Sequence, residues 1–351
     1  MKERGTKHEE TRSNSRVSEE VLPRSSFLVR RKRLGVIGTF VWDTIHGRDA
    51  RQVPIEEWGG ITYALGALDA ALPEDWAIVP VMKVGQDLAP RAREFIAGLR
   101  RMAADAALVE VPYPNNRVEL RYETMDRRTE HLTGGVPPWT WLGLKPLLTN
   151  LDAVYVNFIS GFELDLETST LLRQHFRGPI YADLHSLVLA VQPDGLRTLQ
   201  PLPDVAAWCR CFDLLQVNEV EMSMMAPDPM ALAATAFANN VRCLNVTLAG
   251  RGAVFFAAPG FDSLADLDAR PPLGAALGPI RTALVPAPAM LSSGDPTGCG
   301  DVWGATYFSR LLAGDNLIDA MRAAHHAAAR NVEHRGATGL SGHLRGELSS
   351  R

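Results

Sequence analysis

The chain has 351 residues, 46% of them hydrophobic and 22% charged, with a formal net charge of −4 at pH 7. That is enough for a large core in one α/β domain or two smaller ones, and the acidic balance excludes a general nucleic-acid binder, which needs a basic surface. Every apolar run falls short of the roughly 18 residues of a membrane span, and the polar start lacks the apolar stretch of a secretory signal.

Residues 1–32 offer almost nothing to bury and are expected to form a disordered tail, with 346–351 a second, short one. Arg30, Arg31, Lys32 and Arg33 read as a solvated charge run. Order begins at Leu34–Gly38, a short apolar run suited to a buried strand. Ile61–Leu72 (helix), Ala77–Val84 (strand) and Leu88–Arg101 (helix) follow. Arg117–Glu123 and Arg128–Thr133 alternate with period two around Thr124–Arg127, which predicts a hairpin of half-exposed strands. With strands near 46–58, the 109–135 region is expected to form a small lid inserted into one domain, 33–345. An antiparallel extension of the main sheet is the alternative. An exposed hairpin edge would invite a homodimer through the lid.

Beyond the lid, Ala153–Ile159, Pro179–Ala182, Asp213–Val217, Arg242–Leu248 and Ala253–Ala257 read as strands. Asp165–Phe176 and Met230–Asn239 read as helices between them, and Thr282–Pro286 as a strand in an otherwise irregular Ala257–Pro288 connection. Alternating strand and helix implies an α/β fold, a three-layer, doubly wound, mainly parallel sheet covered on both faces. Ligands on such a sheet sit beyond the carboxyl ends of the strands. The four cysteines, Cys209, Cys211, Cys243 and Cys299, lack paired metal spacing and are expected to be reduced thiols in a cytoplasmic protein.

The sharpest chemical signal is Gly294-Asp295-Pro296-Thr297-Gly298-Cys299-Gly300-Asp301, followed by Val302, Ala305, Phe308 and Leu312 at helical spacing, with Gly314 where that helix should stop. A glycine-rich loop that runs into a helix start presents unpaired N–H groups and the positive end of the helix dipole, an anion site. Asp301 stands at its mouth as a candidate proton acceptor; the alternative is a helix N-cap. The loop fits neither the P-loop pattern nor a dinucleotide fingerprint.

Asp295 to Asp301 resembles the D-T-x-G-A-G-D signature of the ribokinase-like (PfkB-type) carbohydrate and nucleoside kinases, with Cys299 in place of Ala. The resemblance implies an ATP-dependent kinase in which Asp301 is the base and Gly298, Cys299 and Gly300 form the anion hole. Further matches keep the family's order. Gly38 to Asp43 looks like its first-strand G-x-x-x-x-D, with Asp43 at the strand's carboxyl end, and Trp58-Gly59-Gly60 like its helix-opening G-G pair. This places Asp43, Gly59 and Gly60 on a small-molecule hydroxyl acceptor. The family's Asn five residues after the first glycine is Ala64 here. Gly85-Gln86-Asp87 resembles its G-x-D, and Asn218-Glu219-Val220-Glu221 its N-x-x-E, which implies Asn218 near the phosphates and Glu221 ordering Mg²⁺ and its waters.

Thr247 to Ala253 resembles the nucleotide loop T-L-G-x-x-G-A, with Ala249 for its first glycine. Thr247, Gly250, Gly252 and Thr297 are the implied ATP contacts. Asp183-Leu184-His185 ends a strand facing the substrate or γ-phosphate, with His185 where the family often shows Asn. His325-His326 sits on an Asn316–Arg335 helix that walls the adenine pocket; adjacent helical residues diverge by about 100° and do not share a metal. A non-catalytic ligand sensor or scaffold on the same fold is the alternative function, favoured by the departures at Ala64, Ala249 and Cys299.

Overall fold

Apolar runs that continue through both parities become strands buried on both sides. The structure, a computed structural model, describes Met1 and residues 30–46, 53–122, 128–269, 278–289 and 294–347. The tail at 2–29, the lid connection at 47–52, the turn Thr124–Arg127 and residues 348–351 lie outside the described residues. The chain divides into units Met1–Arg30 and Arg31–Arg351, and the second holds every secondary-structure element described.

In chain order, β1 (Lys32–Ile37), β2 (Phe40–His46) and β3 (Ile55–Gly60) precede α1 (Ile61–Ala71), β4 (Trp76–Val81), β5 (Lys83–Gly85) and α2 (Ala89–Ala97). Next come β6 (Val109–Val111), β7 (Asn116–Tyr122), β8 (Arg128–Thr133), α3 (Trp141–Leu144), β9 (Ala153–Asn157), α4 (Leu166–His175) and β10 (Ile180–Asp183). A hairpin of β11 (Leu189–Val191) and β12 (Arg197–Leu199) leads to α5 (Val205–Cys209), β13 (Leu214–Asn218), α6 (Glu219–Ser223) and α7 (Pro229–Ala238). The chain ends through β14 (Cys243–Thr247), β15 (Ala253–Ala257), β16 (Arg281–Val285), α8 (Cys299–Leu312), α9 (Leu317–Val332) and α10 (Leu340–Arg345).

Among the described residues the main sheet has eight strands in the order β16-β15-β14-β13-β10-β9-β1-β4. Pairing is parallel from β14 to β4 and antiparallel at β14–β15 and β15–β16. Side-chain parity sorts the core. Ala153 and Tyr155 of β9 join the cluster holding Ile61 of α1, Phe308 of α8 and Met321 of α9. Val154 and Val156 join the opposite cluster with Leu172 of α4 and Phe237 of α7. Each fully buried side chain of this size contributes about 1.5–3 kcal/mol, so the three layers are fixed by the strands' two-sided apolarity. Helix starts follow the sequence as well: Asp165 accepts from Thr168 N–H at 2.7 Å, and Asn316 from Asp319 N–H at 3.0 Å.

The lid is a separate sheet, order β3-β2-β7-β8, not an extension of the main one. The expected hairpin is present as antiparallel β7–β8, and β2 pairs with β7 in parallel. Four expectations change. The lid strands near 46–58 are Phe40–His46 and Ile55–Gly60, so only Gly38 and Thr39 separate the lid from β1. A Cβ on Gly38 would lie 2.6 Å from the Ile61 side chain, so glycine lets the chain leave the main sheet close against α1. Asp43 is therefore inside a lid strand, not at the carboxyl end of β1. Ala77–Val84 is broken at Met82 into β4 and β5, because β5 pairs with β6 in a sheet of its own. Glu347, placed in a tail, is held by Arg100 at 2.7 Å and Arg345 at 3.0 Å. The edge of β8 is also engaged: Leu132 N–H donates to Gly195 O at 2.8 Å, from the turn of the β11–β12 hairpin.

Candidate active site

Polar residues end the central strands where apolar runs stop: Asn157 on β9, Asp183 on β10, Asn218 on β13 and Thr247 on β14. Beyond them opens a cavity of about 630 Å³, lined from the lid by Asp43 and from the body by Gly298, Cys299, Gly300 and Asp301. Another cavity, of about 750 Å³, lies at the opposite, amino ends of the strands around Lys32, Asp152 and Gly178, away from all of these groups.

The glycine-rich loop meets α8 at Gly298, the N-cap, with φ 74°. A Cβ there would also sit 2.3 Å from the ring of Tyr63, so both backbone and packing require glycine. Asp301 is thus not the cap. It is the third residue of the helix, and its Oδ1 accepts from Asn157 Nδ2 at 2.7 Å. The Cys299 N–H turns back onto Pro296 O at 3.1 Å. The next amide, on Gly300, is one of the helix-start donors without an acceptor in its own helix. A Cβ on Gly300 would meet only Gln216 Nε2, at 3.9 Å, so a side chain there would fill the cavity rather than clash. The Cys299 thiol lies 3.5 Å from Ala328 O and accepts from Asn331 Nδ2 at 3.4 Å, and burial raises its pKa.

Behind the anion site, Gln216 Nε2 donates to Asp183 Oδ2 at 2.9 Å and to Gly300 O at 3.1 Å, while its Oε1 accepts from the Tyr181 hydroxyl. Glu221 closes a capping box on α6: its Oε2 accepts from Asn218 N–H at 2.7 Å and its Oε1 from Asn218 Nδ2 at 2.5 Å. His185 Nδ1 lies 2.7 Å from the same Oε1. Burial works to lower the His185 pKa, but Glu221, with Asp183 and Asp301 nearby, overrides it and holds the imidazole at about 9. Asp183 is pushed well above the usual carboxylate range by burial and by the Glu221 charge, with His185 opposing.

No group of three His, Cys, Asp or Glu able to hold a metal directly occurs among the described residues. Asp183, Glu221 and Asp301 nevertheless line the same cavity, a set of oxygen donors that would suit a hard cation keeping its own waters.

At the lid end Asp43 is 6% exposed. A Cβ on Gly59 would fall 1.8 Å from its Oδ2, so Gly59 makes room for the carboxylate and lies behind it, whereas Gly60 (φ 57°) lines the cavity. Val41, Val118 and Leu120 add apolar wall, and Arg197 of β12 reaches Glu130 of β8 at 3.4 Å. At the other end Thr247, Gly250 and Gly252 line the cavity. Gly252 (φ 106°) is forced, since a Cβ would lie 2.1 Å from Val285 O, while nothing crowds Gly250. Thr297 also lines the cavity, but its hydroxyl donates to Asp295 Oδ1 at 2.6 Å. His325 is buried: its Nδ1 accepts from Trp303 Nε1 at 3.0 Å and its Nε2 faces Val285 O at 3.0 Å. His326 is exposed, as the helical divergence predicts.

This arrangement has a counterpart in solved proteins. A ribokinase from Thermotoga maritima superposes with a TM-score of 0.63 over 90% of this chain and 98% of its own, at 15% identity. The chain has the ribokinase fold. Residues 189–341 of this ribokinase-like chain match the model of the pfkB family carbohydrate kinases. A nucleoside kinase from Burkholderia thailandensis, solved with inosine, gives a TM-score of 0.58 at 16% identity, covering 88% of this chain and 94% of its own. A pyrophosphate-dependent kinase in the ribokinase family, complexed with a pyrophosphate analog and myo-inositol, gives 0.65 at 14% identity, covering 88% and 98%. No curated protein matches the chain.

Within the ribokinase-like frame, three site residues escaped the sequence motifs: Asn157, Gln216 and Arg197. Asn157 and Gln216 carried a usable signal, a polar side chain closing or interrupting a buried apolar strand. Arg197 carried none, because its role depends on packing between distant segments.

Proposed function

We propose that the chain is an ATP-dependent phosphotransferase that moves the γ-phosphate to a hydroxyl of a sugar-like or nucleoside-like small molecule. The observation that carries this reading is Asp301 in the first turn of α8, fixed by Asn157 and facing one cavity together with Asp43. The acceptor hydroxyl is held by Asp43, a carboxylate suited to neighbouring hydroxyls, with the Gly60 backbone beside it. Asp301 takes its proton as the phosphoryl group arrives. The Gly300 amide and the helix dipole stabilise charge on the phosphoryl oxygens, the main source of catalysis in this reaction. Asn218 lies near the phosphates, and Thr247, Gly250 and Gly252 border the nucleotide end. Glu221 would face the waters of a Mg²⁺ ion, which when bound would supply further charge neutralisation.

The neighbours solved with inosine and myo-inositol make polyhydroxyl acceptors the first class to try. The experiment is ATP-to-ADP conversion with Mg²⁺ over a panel of sugars, cyclitols and nucleosides, with Asp301→Asn alongside. Acceptor-dependent turnover that falls about a hundredfold or more in the variant is expected for a lost general base. Turnover retained in Asp301→Asn removes that residue from the mechanism, and ATP binding without any turnover favours the sensor.

A further inference from the structure

Glu130 of β8 and Arg197 of β12 meet where the β11–β12 hairpin touches the lid, and both line the cavity that holds Asp43 and Asp301. Arg197 Nη1 donates to Glu130 Oε2 at 3.4 Å, and its Nη2 to Ile159 O at 3.0 Å, just past β9. The Arg197 side chain is 4% exposed and that of Glu130 17%. Removing two charges from water often costs as much as their attraction returns, and an apolar pair of similar volume frequently serves stability better. Nor does docking of the hairpin depend on the pair: Leu132 N–H already donates to Gly195 O at 2.8 Å, and His131 bridges to Leu196. Strand register shows what the pair faces. Asp43 lies opposite Val118 across β2–β7, and Leu120 opposite Glu130 across β7–β8. Val118 and Leu120 are two residues apart, so all four side chains share the cavity face of the lid. The two carboxylates stand on strands two spacings, roughly 10 Å, apart, with an apolar strip between them.

We propose that Glu130 selects the acceptor by taking a hydrogen bond from an N–H or O–H group at the end of the molecule away from Asp43, and that Arg197 positions Glu130 for it. The inference rests on the phosphotransferase reading and deepens it. An acceptor whose hydroxyls reach Asp43 and whose body lies on Val118 and Leu120 presents its far end to a carboxylate, which accepts strong, charge-assisted hydrogen bonds. A single sugar ring on Asp43 falls short of β8. A base carrying an N–H on its far edge, or a second sugar carrying hydroxyls, spans the strip.

The test measures kcat/KM with MgATP for adenosine and inosine against purine riboside, which lacks the far-edge N–H, and for maltose against glucose. Wild type is expected to prefer the first member of one comparison by about ten- to a hundredfold, the scale of a hydrogen bond to a charged group. Preference among the nucleosides places a base N–H at Glu130; preference for maltose places a sugar O–H there. Glu130→Gln is expected to cut that ratio about tenfold with the KM for ATP unchanged. Arg197→Lys, which keeps the charge and loses the planar fork, should lower the same ratio, a change in selectivity that a purely structural pair would not produce. A ratio unmoved in Arg197→Lys overturns its positioning role. A wild type without either preference, or a ratio unmoved in Glu130→Gln, overturns the role of Glu130 and leaves the kinase reading standing. The wild-type comparison decides even where a variant fails to fold. No turnover with any acceptor overturns the kinase reading and this inference with it.

Discussion

Asn157, the last residue of β9, donates its side-chain amide to Asp301, the third residue of α8, across 144 residues of chain and 2.7 Å of space. The bond orients the Asp301 carboxylate from the end of a central strand. On the proposed function, Asn157→Ala is expected to lower kcat by about tenfold with the KM for ATP little changed, because it would free Asp301, the proposed base, without touching nucleotide. Asn157→Asp, which sets a like charge against Asp301, should be worse than Ala. Steady-state kinetics on the first active acceptor checks both; a loss confined to KM would place Asn157 in binding instead.

Gly304, one turn further along α8, faces Gln216 Oε1 and the Tyr181 hydroxyl, which a Cβ would approach to 2.4 and 2.7 Å. Gly304→Ala must therefore separate α8 from the Gln216 network that also holds Gly300 O and Asp183. Overpacking of this kind costs about 1–3 kcal/mol. Urea denaturation should show that loss, together with reduced turnover. An unchanged midpoint would mean that α8 shifts freely.

The departure at Ala249 has a measurable signature. Ala249 sits at φ 49°, in the left-handed region where the resembled motif has glycine. Ala249→Gly is expected to stabilise the protein by up to about 1 kcal/mol. The check is the chemical-denaturation midpoint, and a lower midpoint would mean that Ala249 makes packing contacts worth more than its strain.

Burial lowers the pKa of His325 below its usual 6.5, helped by His326 and opposed by the Val285 carbonyl. The Trp303 indole N–H points at Nδ1, so a second proton there would set donor against donor. With a folded pKa below the unfolded one, this contribution is complete above about pH 6.5 and is lost as pH falls through the folded value. Melting temperature followed between pH 7.5 and 5 should therefore fall more steeply in wild type than in His325→Gln. Parallel curves would refute the assignment.

Much of the fold was legible because each strand carries its own burial pattern: Ala153–Asn157 or Cys243–Thr247 needs no distant partner to be recognised as two-sided. The glycine-rich loop was legible for the same reason, since its chemistry is local. Asp43 was misplaced because Gly38, which turns the chain onto the lid, does so by packing against Ile61 of α1, a contact invisible in a linear motif. The break at Met82 likewise depends on β6, more than twenty residues later. Tyr63 shows the general limit. In the sequence it is one of several aromatics that could line a pocket, and only the fold sets its ring against Gly298 and its hydroxyl among Glu57, Asp295 and Asp43, where burial and those charges keep it protonated.

Asp43 belongs to the lid sheet and Asp301 to the main body, and that division of labour has a consequence for how such a protein diversifies. Val41, Val118 and Leu120 line the cavity from the lid, so changes there would reshape its wall without crossing into the strand ends or α8. On the proposed function, new acceptors would be within reach of a few lid substitutions, while the strand ends and α8 stay unaltered.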